Sequence, residues 1–152
     1  MSYTAGHQST LLKAYESACY EVLMDTGALD MRVGQPLPAA LEAYLDANGI
    51  ETAAFISAAN PLSRPMTAED NAGRHTQLLR ALRNLGVLWL PGYGRDPCGV
   101  WGAETSVLAL RLARVQAMQL AERFEQNAYI EVLPQMPAKL VLTTHWRVCN
   151  TR

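Results

Sequence analysis

"TAAFISAANPLSRPMTAEDNAGRHTQLLRALRNLGVLWLPG", residues 52–92, is the stretch from which the fold can be read. Residues 52–59 are nearly all apolar, the pattern of a strand covered on both faces. Asn60-Pro61 and Pro65 then break the chain. Thr67-Ala68-Glu69-Asp70 has the form of a capping box, opening a long helix that stops at Gly86. A second apolar run, "VLWLPG", follows. A strand, a helix and a strand in this order make a crossover unit, which joins parallel strands with a fixed hand. The two strands therefore end at the same end of the sheet, and the helix between them starts there. Asn60, Asn71, Arg74 and Gly92 are thereby expected on one rim.

The flanking segments extend the pattern. "HQSTLLKAYESA" (7–18) has helical spacing at Leu11, Tyr15 and Ala18, and "YEVLM" and "LDMRVG" form a hairpin turning at Gly27. "PAALEAYLDANG" (38–49) is a helix with proline in its first turn and glycine at its end. "TSVLALRL" (105–112) is a strand, "ARVQAMQLAERF" (113–124) a helix, and "AYIEVL" and "KLVLT" a closing hairpin around Pro134 and Pro137. The tail "THWRVCNTR" gives no clear signal. The order predicts an α+β fold, a mixed β-sheet of about seven strands with about four packed helices. No linker or repeat divides the chain, so residues 1–152 are expected to form a single domain with its core between about 7 and 145.

The bulk numbers exclude several classes. With 152 residues, 49% hydrophobic and 18% charged, the chain is globular in composition. A net charge of −1, from 13 basic and 14 acidic residues, argues against a nucleic-acid or anionic-membrane partner. No apolar run approaches membrane-spanning length, and the start resembles no secretory signal. Cys19, Cys98 and Cys149 are odd in number and far apart, which points to a reducing cytoplasm rather than a disulfide framework.

"LPGYGRDPCGVWGAETS", residues 90–106, is rich enough in glycine to suggest a phosphate loop. A dinucleotide fingerprint opened by Gly92 and Gly94 would need glycine at Pro97, and a P-loop would need Lys and Ser/Thr at Val100 and Trp101. His7, His75 and His145 share no zinc-ligand spacing with the cysteines. Cys98 has no visible activating base, and Ser106 lacks the nucleophile-elbow glycines. No metal and no cofactor are expected.

The rim is more informative. The strand at 105–112 returns from a hairpin, so Glu104 and Ser106 begin it at the same end as Asn60 and Gly92–Gly94. Its helix climbs back and delivers Gln126 and Asn127 there. Residues two apart in a strand share a face, which puts Glu104 and Ser106 with Leu108 and Leu110. On the long helix, Asn71, His75, Leu78, Leu82 and Leu85 form one stripe, with Arg74 at its edge.

Two readings follow from this rim. Arg74 and Glu104 could make a structural ion pair, with Asn60, Gln126 and Asn127 tying loop backbones. Alternatively Asn60, Asn71, Arg74, Gly92, Gly94, Glu104, Ser106, Gln126 and Asn127 line a site for a small polar or anionic ligand such as a nucleotide. Arg74 would then bind the anion. Two other functions stay open: an interaction module presenting Trp89 and Trp101 to a partner protein, and an enzyme using Glu104 as acid or base. The oligomeric state is left open.

At these residues the chain resembles a bacterial family known only as domain of unknown function 3293. The likeness rests on Asn60-Pro61, Glu69-Asp70-Asn71-x-x-Arg74, Pro91-Gly92-x-Gly94, Trp101-x-x-Glu104-x-Ser106 and Phe124-x-Gln126-Asn127-Ala128, in that order. It runs from about the first helix through "KLVLT". Ala59 stands where a large aromatic is expected, and Glu125 where a small residue is. The resemblance implies no reaction.

Overall fold

A computed structural model describes residues 5–97 and 102–146. The elements are α1 (Ala5–Ser17), β1 (Cys19–Met24), β2 (Gly27–Met31), α2 (Ala39–Ala47), β3 (Ala53–Ser57), α3 (Ala68–Asn84), β4 (Trp89–Arg95), β5 (Glu104–Leu110), α4 (Arg114–Arg123), β6 (Ala128–Val132) and β7 (Lys139–Leu142). A short 3-10 turn, Pro61–Ser63, sits between β3 and α3. The architecture is α+β, a seven-stranded sheet with four helices, as the pattern predicts.

The spatial order is β2-β1-β4-β5-β3-β6-β7, and every ladder between neighbours is antiparallel. β3 and β4 do run parallel, as the crossover requires, but β5 lies between them and pairs antiparallel with both. The sheet is therefore antiparallel rather than mixed as expected, because the strand that returns from β4 inserts between the two crossover strands. A single parallel bridge, Val33 to Ala138, joins the chain just after β2 to the chain just before β7. Gly34 N–H donates to the Ala138 carbonyl at 2.9 Å. The two edges thus meet with a stagger and the sheet rolls up, leaving neither edge fully open.

Side-chain alternation splits the strands between two cores. The inner face draws on all seven strands, with Tyr20, Val22, Met31, Phe55, Leu108, Ile130 and Val132 buried there and Leu90 and Leu140 packed beside them. α2 fills this face with Leu41 and Leu45, both fully buried. The outer face, with Ile56, Val107 and Ala109, is covered by Leu78 and Leu82 of α3 and by Ala117 and Leu120 of α4. Leu85 departs from the expected α3 stripe: it is the C-cap, beyond the last inward turn, and is 49% exposed.

Local signals explain the helix ends. The Thr67 hydroxyl accepts from Asp70 N–H at 3.1 Å, the expected cap of α3. Gly49 and Gly86 follow α2 and α3 with φ of 61° and 69°, a left-handed exit that glycine enters without a Cβ clash. Among the described residues no helix is long and apolar enough to cross a membrane.

Candidate functional site

Register confirms that the rim exists. Ser57 lies opposite Ser106, Gly94 opposite Glu104, and Ala128 opposite Leu142, so β3 and β4 end where β5 and β6 begin. Here the inner face is no longer filled by α2. It opens into a small pocket with a cavity volume of about 60 Å³, floored by Tyr20, Phe55, Ile130 and Leu140. A broader cleft between α1, the β3–α3 loop and the start of α3 continues outward from it. The two share Tyr15, Glu104, Gln126 and Ala128.

Asn60 is the hub of the loop. Its backbone N–H donates to Asn71 Oδ1 at 2.9 Å, and its Oδ1 accepts from Asn71 Nδ2 at 2.9 Å and Met66 N–H at 3.0 Å. Its Nδ2 donates to Glu104 Oε1 at 2.9 Å. Asn60 and Asn71 therefore meet, as the crossover demands. Together they bind the loop to the first turns of α3 and to the first residue of β5.

The backbone around this hub is strained. Asn60, Leu62 and Ser63 have φ of 47°, 54° and 60°, and Glu125 across the loop has 55°. Asparagine tolerates this region through local hydrogen bonds, but Leu62 gains no such relief, and each strained residue costs on the order of 1–3 kcal/mol. Leu62 N–H donates to the Glu125 carbonyl at 2.6 Å, which holds the loop against the α4–β6 turn.

Arg74 and Glu104 do not pair. Arg74 Nε donates to the Ala58 carbonyl at 2.6 Å, Nη2 donates to the Phe124 carbonyl, and Nη1 lies 3.8 Å from Glu125 Oε1. The guanidinium fork is spent on strand-end and helix-end carbonyls that have no ladder or helix partner. Glu125, a departure from the family pattern, is its ionic neighbour. Arg74 lines neither the pocket nor the cleft.

Glu104 lines both. Burial pushes its carboxyl pKa up, and the Asn60 amide only partly opposes this by stabilising the anion. Only Oε1 has a partner among the described residues. Beside it, the Ser106 hydroxyl donates to the Glu104 carbonyl at 3.0 Å and the Ser57 hydroxyl to the Thr105 carbonyl at 3.2 Å. Gln126 Nε2 donates to the carbonyls of Ala59 and Phe124, which orients the amide. Asn127 Nδ2 donates to Ser63 Oγ at 3.1 Å, and Ser63 is hydrogen-bonded to the Tyr15 hydroxyl.

Of the expected rim residues, Asn60, Asn71, Gly94, Glu104, Ser106, Gln126 and Asn127 line the pocket or the cleft. Gly92 does not. A Cβ there would stand 2.4 Å from the Glu21 carbonyl and 2.7 Å from the Phe55 ring, so its role is to let Phe55 lie against β4. Gly94 faces the pocket across from Ser106. Cys98 and Trp101 lie outside the described residues. Trp89 is half-buried on the outer face, with the Arg83 guanidinium 5.7 Å from its ring centre. Among the described residues no group of His, Cys, Asp and Glu gathers that could hold a metal.

Sequence reasoning missed the wall supplied by α1 and the chain end. Tyr15 reaches the mouth and stacks edge-on against the buried Trp146. Tyr20 donates its hydroxyl to the Tyr15 carbonyl at 2.6 Å. Fully buried Thr143 donates to the Gln126 carbonyl at 2.6 Å. The stripe of Leu11, Tyr15 and Ala18 was a signal for a buried helix face, but not for where it docks. Thr143 and Trp146 carried none.

Residues 56–129 match the model of a family described as protein of unknown function (DUF3293), the family that the motifs resemble. The match is narrower than the expected span from the first helix through "KLVLT". It contains all nine expected rim residues, whereas Tyr15, Tyr20 and Leu140 lie outside it. No curated protein and no solved structure matches the chain.

Proposed function

We propose that this chain, whose residues 56–129 belong to that family of unknown function, binds a small polar ligand in the mouth of its rolled sheet. The observation that carries this is Glu104, a carboxyl with one unpartnered oxygen at the junction of an apolar pocket and an open cleft. Glu104 is half-buried, and a partly desolvated carboxylate without full pairing is costly, so positions that keep one are commonly functional. The strained Asn60–Ser63 loop supports the same reading, since backbone strain concentrates at binding sites. The anionic half of the expectation loses its support, because Arg74 is occupied elsewhere and no basic residue is among the described lining. The setting proposed is a bacterial cytoplasm, in keeping with the family resemblance and with Cys19, a free buried cysteine whose thiol pKa is pushed up to about 11.

A fragment screen by NMR tests the proposal. Binding fragments should move signals of Phe55 and Ile130 in the native protein and leave them unmoved in Ala128→Phe, which fills the mouth. A screen in which no fragment reaches these residues would defeat it. A second reading has one observation in its favour: with its pKa raised, Glu104 can donate as well as accept a proton, so it could serve as general acid or base toward a bound substrate. Turnover of a bound fragment that is lost in Glu104→Gln would establish it.

A further inference from the structure

The hydrogen-bonding groups of the pocket are divided by direction. The hydroxyls of Tyr20, Ser57 and Ser106 donate to carbonyls of the surrounding chain, and the Gln126 amide nitrogen does the same. The Tyr15 hydroxyl is engaged with Ser63. Glu104 Oε2 and Gln126 Oε1, in contrast, accept from none of the described residues. The side-chain donors of these residues are thus spent inward, and acceptors remain; the one donor of the lining without a partner, the Tyr129 hydroxyl, belongs to a ring packed in the outer-face core. A ligand that satisfies this pocket must bring donors.

Three further observations narrow the class. Glu104 is the one charged residue among the described lining of pocket and cleft, so the local field favours a cation. Tyr15, Tyr20 and Phe55 line the pocket as aromatic residues, and ring faces attract a cation. The floor of Ile130 and Leu140 is apolar and suits an aliphatic body.

We propose that the pocket takes a small organic cation, a primary ammonium on a short apolar body, with the ammonium held by the Glu104 carboxylate and the Gln126 amide oxygen. This rests on the mouth being a ligand site, and it names the ligand's chemistry. It also links binding to protons. In the free protein burial raises the proton affinity of Glu104, so the ammonium must displace a proton where the carboxyl is neutral. The other titratable residues of the lining are the phenols Tyr15, Tyr20 and Tyr129, and burial raises the pKa of the latter two as well. Tyr20 and Tyr129 are thereby held neutral, and Glu104, the one carboxyl of the described lining, sets the pH dependence.

The test is an NMR titration with three probes of equal length: butylammonium, butanamide and butyrate. Butylammonium should shift the Phe55, Ile130 and Leu140 signals and bind about tenfold or more tighter than butanamide, the margin expected of a charge-assisted contact. Butyrate should not bind. Affinity for butylammonium should fall as pH is lowered through the Glu104 titration, and that dependence should vanish in Glu104→Gln along with most of the affinity. Glu104→Asp, which keeps the charge but retracts it, should weaken binding less; spectral dispersion reports whether each variant is folded. If butanamide or butyrate binds as tightly as butylammonium, or if Glu104→Gln binds the amine unchanged, the cation proposal is overturned while the mouth remains a ligand site. If none of the three moves the pocket signals, both proposals fall.

Discussion

The inner face of the sheet is built in opposite ways along its length. Where α2 covers it, Leu41, Leu45 and Val132 are fully buried, among aliphatic neighbours. Where β5 begins, the same face carries Glu104 and Ser106, a pocket, and a loop with three residues in the left-handed region. One region gains its free energy from dry contact, which is non-directional and tolerates any arrangement that fills space. The other is held by directed hydrogen bonds, each of which fixes one atom against another. Such a rim is over-determined, so it can retain a half-satisfied carboxyl and a strained backbone that a core would eliminate.

Breaking the filled region should give the largest effect. Leu41→Ala should cost roughly 2–5 kcal/mol by urea denaturation, the range for a large-to-small change in a closed core. Fragment binding at the mouth should persist. A loss below about 1 kcal/mol would mean that α2 does not fill the roll.

Arg74→Ala attacks the rim's scaffold. Deleting it strips the Ala58 and Phe124 carbonyls of a charged donor, which should cost about 2–3 kcal/mol. Adding Glu104→Gln should recover none of that loss, because the two side chains share no contact. Recovery of a large part of it would restore the ion pair that the sequence suggested. Gly92→Ala should cost about 1–3 kcal/mol by forcing Phe55 and β1 away from β4. A neutral outcome there would show that the close approach of Phe55 is dispensable.

The smallest effect, and the most diagnostic, is that of Glu104→Gln on the free protein. Its folded-state pKa is raised above the ordinary 4.5, so the folded state holds this proton more tightly than the unfolded chain does. The resulting stability is fully present below pH 4.5 and is lost as pH rises through the folded value. The native protein should therefore lose stability relative to Glu104→Gln over that window, and the variant should be equal or slightly more stable at neutral pH. A native protein that instead gains on the variant as pH rises would mean that the carboxylate is well paired.

Much of this was legible from pattern. Each strand and helix has a counterpart in period and punctuation, because "TAAFISAA", the Thr67 cap and the glycines at 49 and 86 are local signals that the tertiary structure had no reason to override. The ends moved, with β2 at Gly27–Met31 rather than 29–34 and β4 running on past Gly92 to Arg95. The rim was legible as well, through direction alone. Once β3 and β4 run parallel, Asn60, Asn71, Glu104 and Gln126 are delivered to one end whichever strand lies between them.

The partners of those residues were not legible. Arg74 and Glu104 are opposite charges on one rim, and their pairing was a reasonable expectation. Which pair forms depends on positions that change by a few ångström as α3 and α4 pack: here two bare carbonyls reached the guanidinium and Asn60 reached the carboxyl. The insertion of β5 between β3 and β4, the bridge that rolls the sheet, and the arrival of Tyr15 and Trp146 at the mouth are likewise long-range contacts with no local pattern. Residue order determined the elements and the end of the sheet at which the polar groups gather, since both follow from backbone periodicity and chain direction. Only the packed structure decided which of those groups are satisfied and which are left facing a cavity, since hydrogen bonding is settled by distances that no spacing in a sequence encodes.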